Sequence, residues 1–163
     1  MPLNALKAKL AEIAVPVVAP AAAAGEPSAP PAPSVVEAAH AVRGVDLDVT
    51  VPADRVTDAA RIMNAAAFTL EAITGVDWLA EQQMEIVYDY TDFASGLRVT
   101  VRTRVPRAQP ELLTISGIYP GANWHERETH DFFEVVFTGH PQLIPLLLPE
   151  DAQFHPLRKD FNA

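Results

Sequence analysis

Residues 84–105, MEIVYDYTDFASGLRVTVRTRV, decide the fold of this chain. Apolar side chains fall on the even positions of Met84–Tyr90 and, apart from Thr103, on the odd positions of Leu97–Val105. A repeat of two is typical of a strand with one buried face. Between the two segments, Ala94-Ser95-Gly96 supplies turn residues. The stretch therefore predicts a β-hairpin.

A strand and a helix are predicted before the hairpin. Val45–Val51 has apolar residues at every odd position, which indicates a half-buried strand. Pro52 then opens a helix to about Ala67, since Pro is favoured at the first helical position. One face of this helix is apolar and is expected to cover a sheet: Val56, Ala59, Ala60, Met63 and Ala67. A further strand is predicted over Phe68–Thr74.

The order of these elements predicts the fold class. A strand, a helix, three strands and further helices describe an α+β fold in which helices cover one face of a mainly antiparallel sheet. We expect a two-layer sandwich of the ferredoxin-like type. It is preceded by an Ala/Pro-rich N-terminal extension.

That extension has two parts. Leu3, Leu6, Leu10 and Ile13 recur at helical spacing and predict a short helix over residues 3–14. The six prolines of Val15–Pro33 predict a semi-extended, flexible linker. The helix is then either a tethered hook that docks on a partner or a frayed tail.

Composition excludes several classes of function. A net charge of -9 over 163 residues argues against nucleic acid and against an anionic lipid surface. The absence of cysteine rules out cysteine-ligated iron–sulfur clusters and cysteine-rich zinc sites. No stretch approaches the roughly 20 apolar residues needed to cross a bilayer. Arg98, Arg102 and Arg104 form a positive stripe that either meets an acidic partner or is simply solvated.

Polar residues are densest at Trp124–Asp131, which makes this stretch the first candidate for catalysis. His125 and His130 lie about 140° apart around a helix axis, so they do not share a zinc ion as two histidines four residues apart would. Glu126 with His130, and Arg127 with Asp131, are four residues apart and suit structural side-chain pairs.

Two further histidines, His140 and His155, each precede a proline and suit turns in which the imidazole bonds backbone carbonyls. No nucleophile elbow, phosphate loop or dinucleotide motif is present. The sequence therefore predicts no catalytic, cofactor-binding or metal-binding residues. A metal-dependent enzyme using Glu126, His130 or His140 stays as a lesser alternative.

Several ordered motifs in the last third of the chain resemble one family: Pro120–Glu128, Asp131-Phe132-Phe133, Phe137–Pro141, Leu148–Asp151 and His155–Phe161. They are similar to the signature of the thirty-kilodalton subunit family of respiratory complex I. That family includes the equivalent small subunit of energy-converting membrane-bound nickel–iron hydrogenases. The likeness covers roughly residues 35–161.

The resemblance implies a subunit without cofactor or active site, located peripherally on the cytoplasmic side of the cell membrane. Its implied partners are a large hydrogenase-like subunit and iron–sulfur subunits, and it contacts the membrane only through them. Expected domains are 1–34 (helix and linker), 35–141 (α/β domain) and 142–163 (extended docking segment). The implied partner-docking residues are Trp124, Glu126, Arg127, Glu128, Asp131, His140, His155, Arg158, Lys159 and Asp160.

Two features depart from the family pattern. Phe132-Phe133-Glu134 stands where the family commonly has Met-Phe-Gly, so a charged residue replaces a glycine. The sequence ends two residues after Phe161, which favours the hydrogenase type or another compact relative over a standard NADH:quinone complex. The sequence does not predict which electron donor and acceptor the complex uses. An alternative function is a free-standing adaptor whose Pro-rich segment binds an aromatic groove.

Overall fold

The computed structural model describes residues 1–14 and 34–162. The helices and strands are, in chain order, α1 (Leu3–Ile13), β1 (Ser34–Glu37), α2 (His40–Arg43), β2 (Leu47–Thr50), α3 (Val56–Ala65), β3 (Thr69–Trp78), β4 (Gln83–Asp92), β5 (Leu97–Pro106), β6 (Glu111–Leu113), α4 (Ala122–Phe133) and β7 (Val136–Thr138). Short 3-10 turns at Ala53–Arg55 and Leu79–Glu81 precede α3 and β4. Residues 142–162, which we call the C-terminal arm, follow β7 without a helix or strand.

Strands β1 to β5 form one sheet in the order β1-β2-β5-β4-β3. The predicted hairpin is confirmed, with Tyr88 of β4 opposite Val101 of β5. Strand β2 runs parallel to β5, and the other pairs are antiparallel. The chain crosses from β2 to β3 through α3 and then returns through β4 to β5, which places β5 beside β2. The predicted α+β class with a mainly antiparallel sheet is therefore confirmed.

The connections follow a ferredoxin-like course only as far as β4. A ferredoxin-like chain passes through a second helix before its fourth strand. Here a hairpin joins β4 directly to β5, so β3, β4 and β5 form a meander. Strands β6 and β7 form a separate parallel pair beside α4.

One face of the sheet forms the core. Its buried side chains alternate along the strands: Leu47, Val49, Ile73, Met84, Ile86, Tyr88, Tyr90, Val99, Val101 and Val105. Helix α3 contributes Val56, Ala59, Ala60 and Met63 to the same cluster, as predicted. The prediction for Ala67 is wrong, because the helix ends at Ala65 and Ala67 is exposed with φ 65°. Ala66 is buried in its place.

The opposite face of the sheet is polar and internally paired. Arg102 donates to both carboxylate oxygens of Asp48 at 2.7 and 3.0 Å. Arg104 donates to Glu85 at 3.2 Å, and its guanidinium lies 4.2 Å from the ring centre of Trp78. Acidic side chains of the chain itself therefore meet two of the three arginines in the predicted positive stripe.

Helix α1 is present but does not extend towards a partner. Leu6 and Leu10 are fully buried in the core cluster, where α1 contacts α3 and β1. Lys7 also bonds Glu37 at 2.7 Å. The prediction of a tethered hook or a frayed tail is wrong, because the apolar face of α1 completes the chain's own core. The predicted linker over 15–33 lies outside the described residues.

Candidate interaction surface of helix α4 and the C-terminal arm

Asp131 of α4 holds the start of the C-terminal arm. Its side chain is buried, and one oxygen accepts the backbone N–H groups of Leu146, Leu147 and Leu148 at 2.8, 2.7 and 3.2 Å. Three such donors satisfy the charge of a buried carboxylate without a cationic partner. Asp131 therefore fixes the path of an irregular segment that has no helical or strand hydrogen bonds of its own.

Arg127 binds the same segment from one helical turn earlier. Its guanidinium donates to the carbonyl oxygens of Ile144 at 3.0 Å and Pro145 at 2.9 Å, and it lies 5.6 Å from the ring centre of Trp124. The predicted pair between Arg127 and Asp131 is wrong. Both side chains bind the backbone of the arm instead. Its carbonyl groups accept from the Arg127 guanidinium, and its N–H groups donate to the Asp131 carboxylate.

Glu126 is the buried carboxylate on the opposite side of α4. It accepts the hydroxyl of Thr114 and the N–H of Ile115, the latter at 2.7 Å. Burial raises the pKa of Glu126 to about 7, although both hydrogen bonds act to lower it. The predicted pair with His130 is wrong, since His130 instead bonds the carbonyl of Val135 at 2.9 Å.

His140 lies beside Glu126 with a side chain that is fully buried. Its Nδ1 accepts the N–H of Gln142 at 3.0 Å, so the ring proton sits on Nε2, which donates to the carbonyl of Asn123 at 3.3 Å. Burial lowers the pKa of His140, and Arg127 and His130 add to this effect. The ring is therefore a neutral turn anchor, as its position before a proline predicts.

His155 is the second confirmed turn anchor. Its Nδ1 donates to the backbone carbonyl of Asp131 at 2.8 Å. Two residues later the N–H of Leu157 donates to the carbonyl of Phe132 at 3.2 Å. The arm is thus held along α4 at its middle as well as at its start.

Charged residues near the end of the arm bind the sheet. Arg107 donates to Asp77 through two hydrogen bonds and to Asp160 through a third at 2.5 Å. The N–H of Lys159 donates to Asp77 at 2.8 Å. Hydrogen bonds from Arg107 and Lys159 hold the pKa of Asp77 below its usual value, although burial acts to raise it. Arg158 bonds Glu134 and the carbonyl of Arg107.

The sequence did not predict Asp77 or Arg107. They lie far apart in the chain, in a strand and a turn, so no local spacing connects them. The only available signal was the position of Asp77, a charged residue on the alternating core face of a strand. A charge at such a position requires a buried partner.

Glu134 ends α4 in a backbone conformation that favours glycine. It caps the C-terminal end of α4 in the left-handed conformation, with φ 66°. Glycine is the usual residue there because it has no Cβ. The side chain contributes a bond to Arg158 that glycine lacks.

Large apolar side chains are exposed along the arm. They are Ile144, Leu147, Phe154, Leu157 and Phe161. The rings of Phe154 and Phe161 are stacked with centres 5.7 Å apart. Trp124 of α4 is 61% exposed at the rim of an open cleft of about 830 Å³. Together these side chains form a candidate binding surface, which we call the arm surface.

The ten predicted docking residues therefore divide into two groups. Seven bind backbone or side chains within the chain: Glu126, Arg127, Asp131, His140, His155, Arg158 and Asp160. Trp124 and the side chain of Lys159 are exposed, and Glu128 lines a groove beside β3. The intramolecular bonds give the first group a role in shaping the surface.

Within residues 1–14 and 34–162, no three His, Asp or Glu side chains cluster as a metal site would require. Glu126 and His130 bond different partners and do not converge. In the same part of the chain, no helix has the length and hydropathy to cross a bilayer.

Comparisons with known proteins identify the family. The model described as "Respiratory-chain NADH dehydrogenase, 30 Kd subunit" matches residues 49–163. The C subunit of NADH-quinone oxidoreductase from Roseiflexus sp. (strain RS-1) is 42% identical over 120 residues, which cover 71% of this chain and 69% of that protein. The C subunit of F(420)H(2) dehydrogenase from Methanosarcina mazei is 36% identical over 93 residues, covering 56% of this chain and 59% of that protein.

A solved structure agrees with both. A chain of the membrane-bound sulfane sulfur reductase, titled an archaeal respiratory membrane complex, matches with a TM-score of 0.66 and 36% identity, covering 71% of each chain. The resemblance inferred from the motifs is therefore confirmed. The chain belongs to the 30 kDa subunit family of the respiratory-chain NADH dehydrogenase.

Proposed function

We propose that this chain is a peripheral subunit of a membrane-associated electron-transfer complex. In this role it binds and stabilises the large hydrogenase-like subunit and its iron–sulfur neighbours, on the cytoplasmic side of the membrane. The chain itself supplies no redox centre and reaches the membrane only through these partners. Relatives by sequence are named for NADH and for F(420)H(2), and a structural match is named as a sulfane sulfur reductase, so the role does not depend on one electron donor or acceptor.

The observation that carries this proposal is the arm surface. An arm with no helix or strand is fixed by polar contacts from Asp131 and Arg127, yet it exposes five large apolar side chains. A fixed apolar surface loses little conformational entropy on binding, which favours a permanent interface. Trp124 and Arg127 are residue types that commonly dominate binding energy in interfaces.

The charges of α4 support binding over catalysis. Arg127 and Asp131 bind the backbone of the arm, and Glu126 binds that of Ile115. Their hydrogen-bonding capacity is used in holding segments together, whereas a catalytic group needs access to a substrate atom. We therefore assign them to positioning the docking surface. The segments 35–141 and 142–163 then correspond to a scaffold domain and a docking segment.

Co-purification from gently solubilised membranes tests this function. Replacing Leu147 and Phe154 together with serine removes two exposed apolar groups from the arm surface without touching its anchors. Burial of one such side chain is worth about 1.5–3 kcal/mol, so recovery of partner subunits should fall at least about tenfold. The matched control replaces Val42 and Phe93, which are also exposed but lie on α2 and in the β4–β5 turn.

Full recovery of partners with the arm variant, or equal loss with the control, would contradict the proposal. Purification of the wild-type chain without any iron–sulfur or hydrogenase-like subunit would contradict it directly. The adaptor alternative rests on residues 15–33, outside the described residues. It requires that the arm variant bind as well as the wild type.

A further inference from the structure

Strand β3 is a long, open edge of the sheet. The sheet order leaves β1 and β3 at its edges, and β1 has four residues while β3 has ten. Within residues 1–14 and 34–162, the backbone of β3 pairs only with β4, and no loop bonds its outer side. In a strand, every second N–H and C=O group points to the side away from the neighbour. These groups are therefore available to another strand.

The sequence of β3 does little to protect this edge. Proteins usually block edges with lysine, proline, bulges, a very short strand or a covering helix, and here α4 packs against β3 at Gly75 without a backbone hydrogen bond to its outer side. Thr69–Trp78 contains neither lysine nor proline. The bulge lies at its start, between Leu70 and Ala72, and the pairing from Ala72 to Trp78 is regular. Asp77 is an inward charge, but Arg107 and Lys159 satisfy it inside the chain.

A groove runs beside the same edge. It has a volume of about 290 Å³ and lies between residues 72–75 of β3 and one side of α4. Ile73, Phe132, Phe133 and Leu157 give it apolar walls. The glycine at position 75 is required there, because a Cβ would lie 2.5 Å from Cδ2 of Phe133. The groove is of a size to take one apolar side chain.

Glu128 gives the groove a charge. Glu128 is one of the lining residues, and among the described residues no hydrogen bond or ion pair engages its carboxylate. Most other polar side chains of α4 have partners within the chain. A free carboxylate at the rim of an apolar groove favours a ligand with a basic side chain beside an apolar one.

We propose that the outer edge of β3 receives an extended segment of a partner subunit, which adds a sixth strand to the sheet. Its backbone pairs with Ala72–Val76, an apolar side chain enters the groove, and a Lys or Arg meets Glu128. This inference rests on the proposed function, since it requires a partner subunit. A second copy of the chain is disfavoured, because a protein of net charge -9 would bring further acidic groups to Glu128.

Hydrogen–deuterium exchange of the full chain, alone and within its purified complex, tests the pairing. In the isolated chain, the outward N–H groups of β3 should exchange fast while their inward neighbours are slow. In the complex, exchange of the outward groups should slow at least about tenfold, as hydrogen bonding to a strand requires. Slow exchange in the isolated chain that depends on its concentration would indicate a second copy and overturn the proposal.

The same experiment separates this inference from the proposed function. Protection of the arm without protection of β3 leaves the subunit role intact and refutes the added strand. Protection of neither segment, with no partner recovered, refutes both. Protection of β3 together with the arm supports both.

Cross-linking identifies the occupant. The chain has no cysteine, so Thr74→Cys introduces a unique thiol on the exposed side of β3. A thiol-reactive photocrosslinker at this position should capture one peptide of one partner subunit. That peptide should contain alternating apolar residues and a Lys or Arg. Phe93→Cys, at the distant β4–β5 turn, is the control and should not capture it.

Charge reversal tests the basic contact. Glu128→Lys should weaken retention in the complex by about fivefold, as expected for loss of roughly 1 kcal/mol. The matched control Glu12→Lys makes the same charge change on an exposed position of α1 and should have no effect. Equal retention of the two variants, or cross-links from Thr74→Cys scattered over several subunits, would overturn the proposal.

Discussion

Asp77 and Arg107 are joined by two hydrogen bonds, of 2.8 and 3.0 Å, between side chains that are 1% and 9% exposed. The pair links the last part of β3 to the turn after β5. The same carboxylate also accepts the N–H of Lys159, so it fixes the end of the C-terminal arm. One buried ion pair thus connects the sheet to the proposed docking segment.

Replacing Arg107 with methionine should destabilise the chain strongly. The change leaves Asp77 buried without its cation, which typically costs about 3–5 kcal/mol. Chemical denaturation measures the loss. Arg61→Met breaks an exposed ion pair with Asp58 and should cost no more than about 1 kcal/mol. Equal losses for the two variants would contradict the role of the buried pair.

The same pair should make the wild type sensitive to acid. The pKa of Asp77 is lower in the folded chain than in the unfolded chain. Ionised Asp77 therefore contributes its full stability above its pKa in the unfolded chain, about 3.9. This contribution is lost as the pH falls through its pKa in the folded chain. In Arg107→Met this loss below pH 4 should be smaller, which denaturation at several pH values can measure.

Asp131→Asn should release the arm from α4. The amide oxygen of Asn can accept the three N–H groups at Leu146–Leu148, but it carries no charge and therefore binds them more weakly than the carboxylate does. Limited digestion with chymotrypsin should cut the arm faster than in the wild type. Asp151→Asn changes an exposed carboxylate of the same arm and serves as the control. Unchanged digestion of Asp131→Asn would show that the arm is held without Asp131.

Glu126→Gln should change the pH dependence of stability. The pKa of Glu126 is raised from 4.5 to about 7 in the folded chain, so the folded state binds a proton that the unfolded state has lost between these values. The wild type therefore loses stability as the pH rises from about 4.5 to 7. The variant has no carboxyl at position 126 and should not share this loss. Relative to the wild type, its free energy of unfolding should therefore rise over this range, by an amount on the order of 3 kcal/mol. A constant difference would contradict this.

Gly75→Ala should destabilise the contact between β3 and α4. The added Cβ would meet the ring of Phe133, and overpacking of this kind costs about 1–3 kcal/mol. Gly117→Ala places the same methyl group in open space and should be nearly neutral. Thermal unfolding compares the two variants. Because Phe133 is the obstruction, Phe133→Leu should restore part of the loss, and failure to do so would place the cause elsewhere.

Local patterns predicted the hairpin and the covering helix, because alternation and helical spacing report which side of an element is buried. They did not predict β1, since Ser34–Glu37 is short and follows a Pro-rich stretch. They also gave the wrong role to α1. An apolar helical face shows that Leu6 and Leu10 need a partner, but not that the partner is the chain's own core.

For the site, local sequence patterns predicted some intramolecular contacts and missed others, and the docking role of these residues stays a prediction. The His-Pro positions of His140 and His155 correctly indicated carbonyl anchors. Helical spacing suggested that Arg127 pairs with Asp131. It cannot show that the irregular backbone of the arm binds both side chains instead. The contacts of Asp77 with Arg107 and Lys159 depend on the tertiary fold alone.

The parallel pairing of β2 with β5 also constrains the order of events during synthesis. Leu47 lies opposite Val99, so residues 34–50 leave the ribosome long before their sheet partner exists. The meander of β3, β4 and β5 pairs neighbours in sequence and can assemble first, since short loops close quickly. Until Pro106 has emerged, α1 and α3 have no complete sheet to cover. The N-terminal half of the nascent chain therefore keeps apolar surface exposed until that residue has left the ribosome.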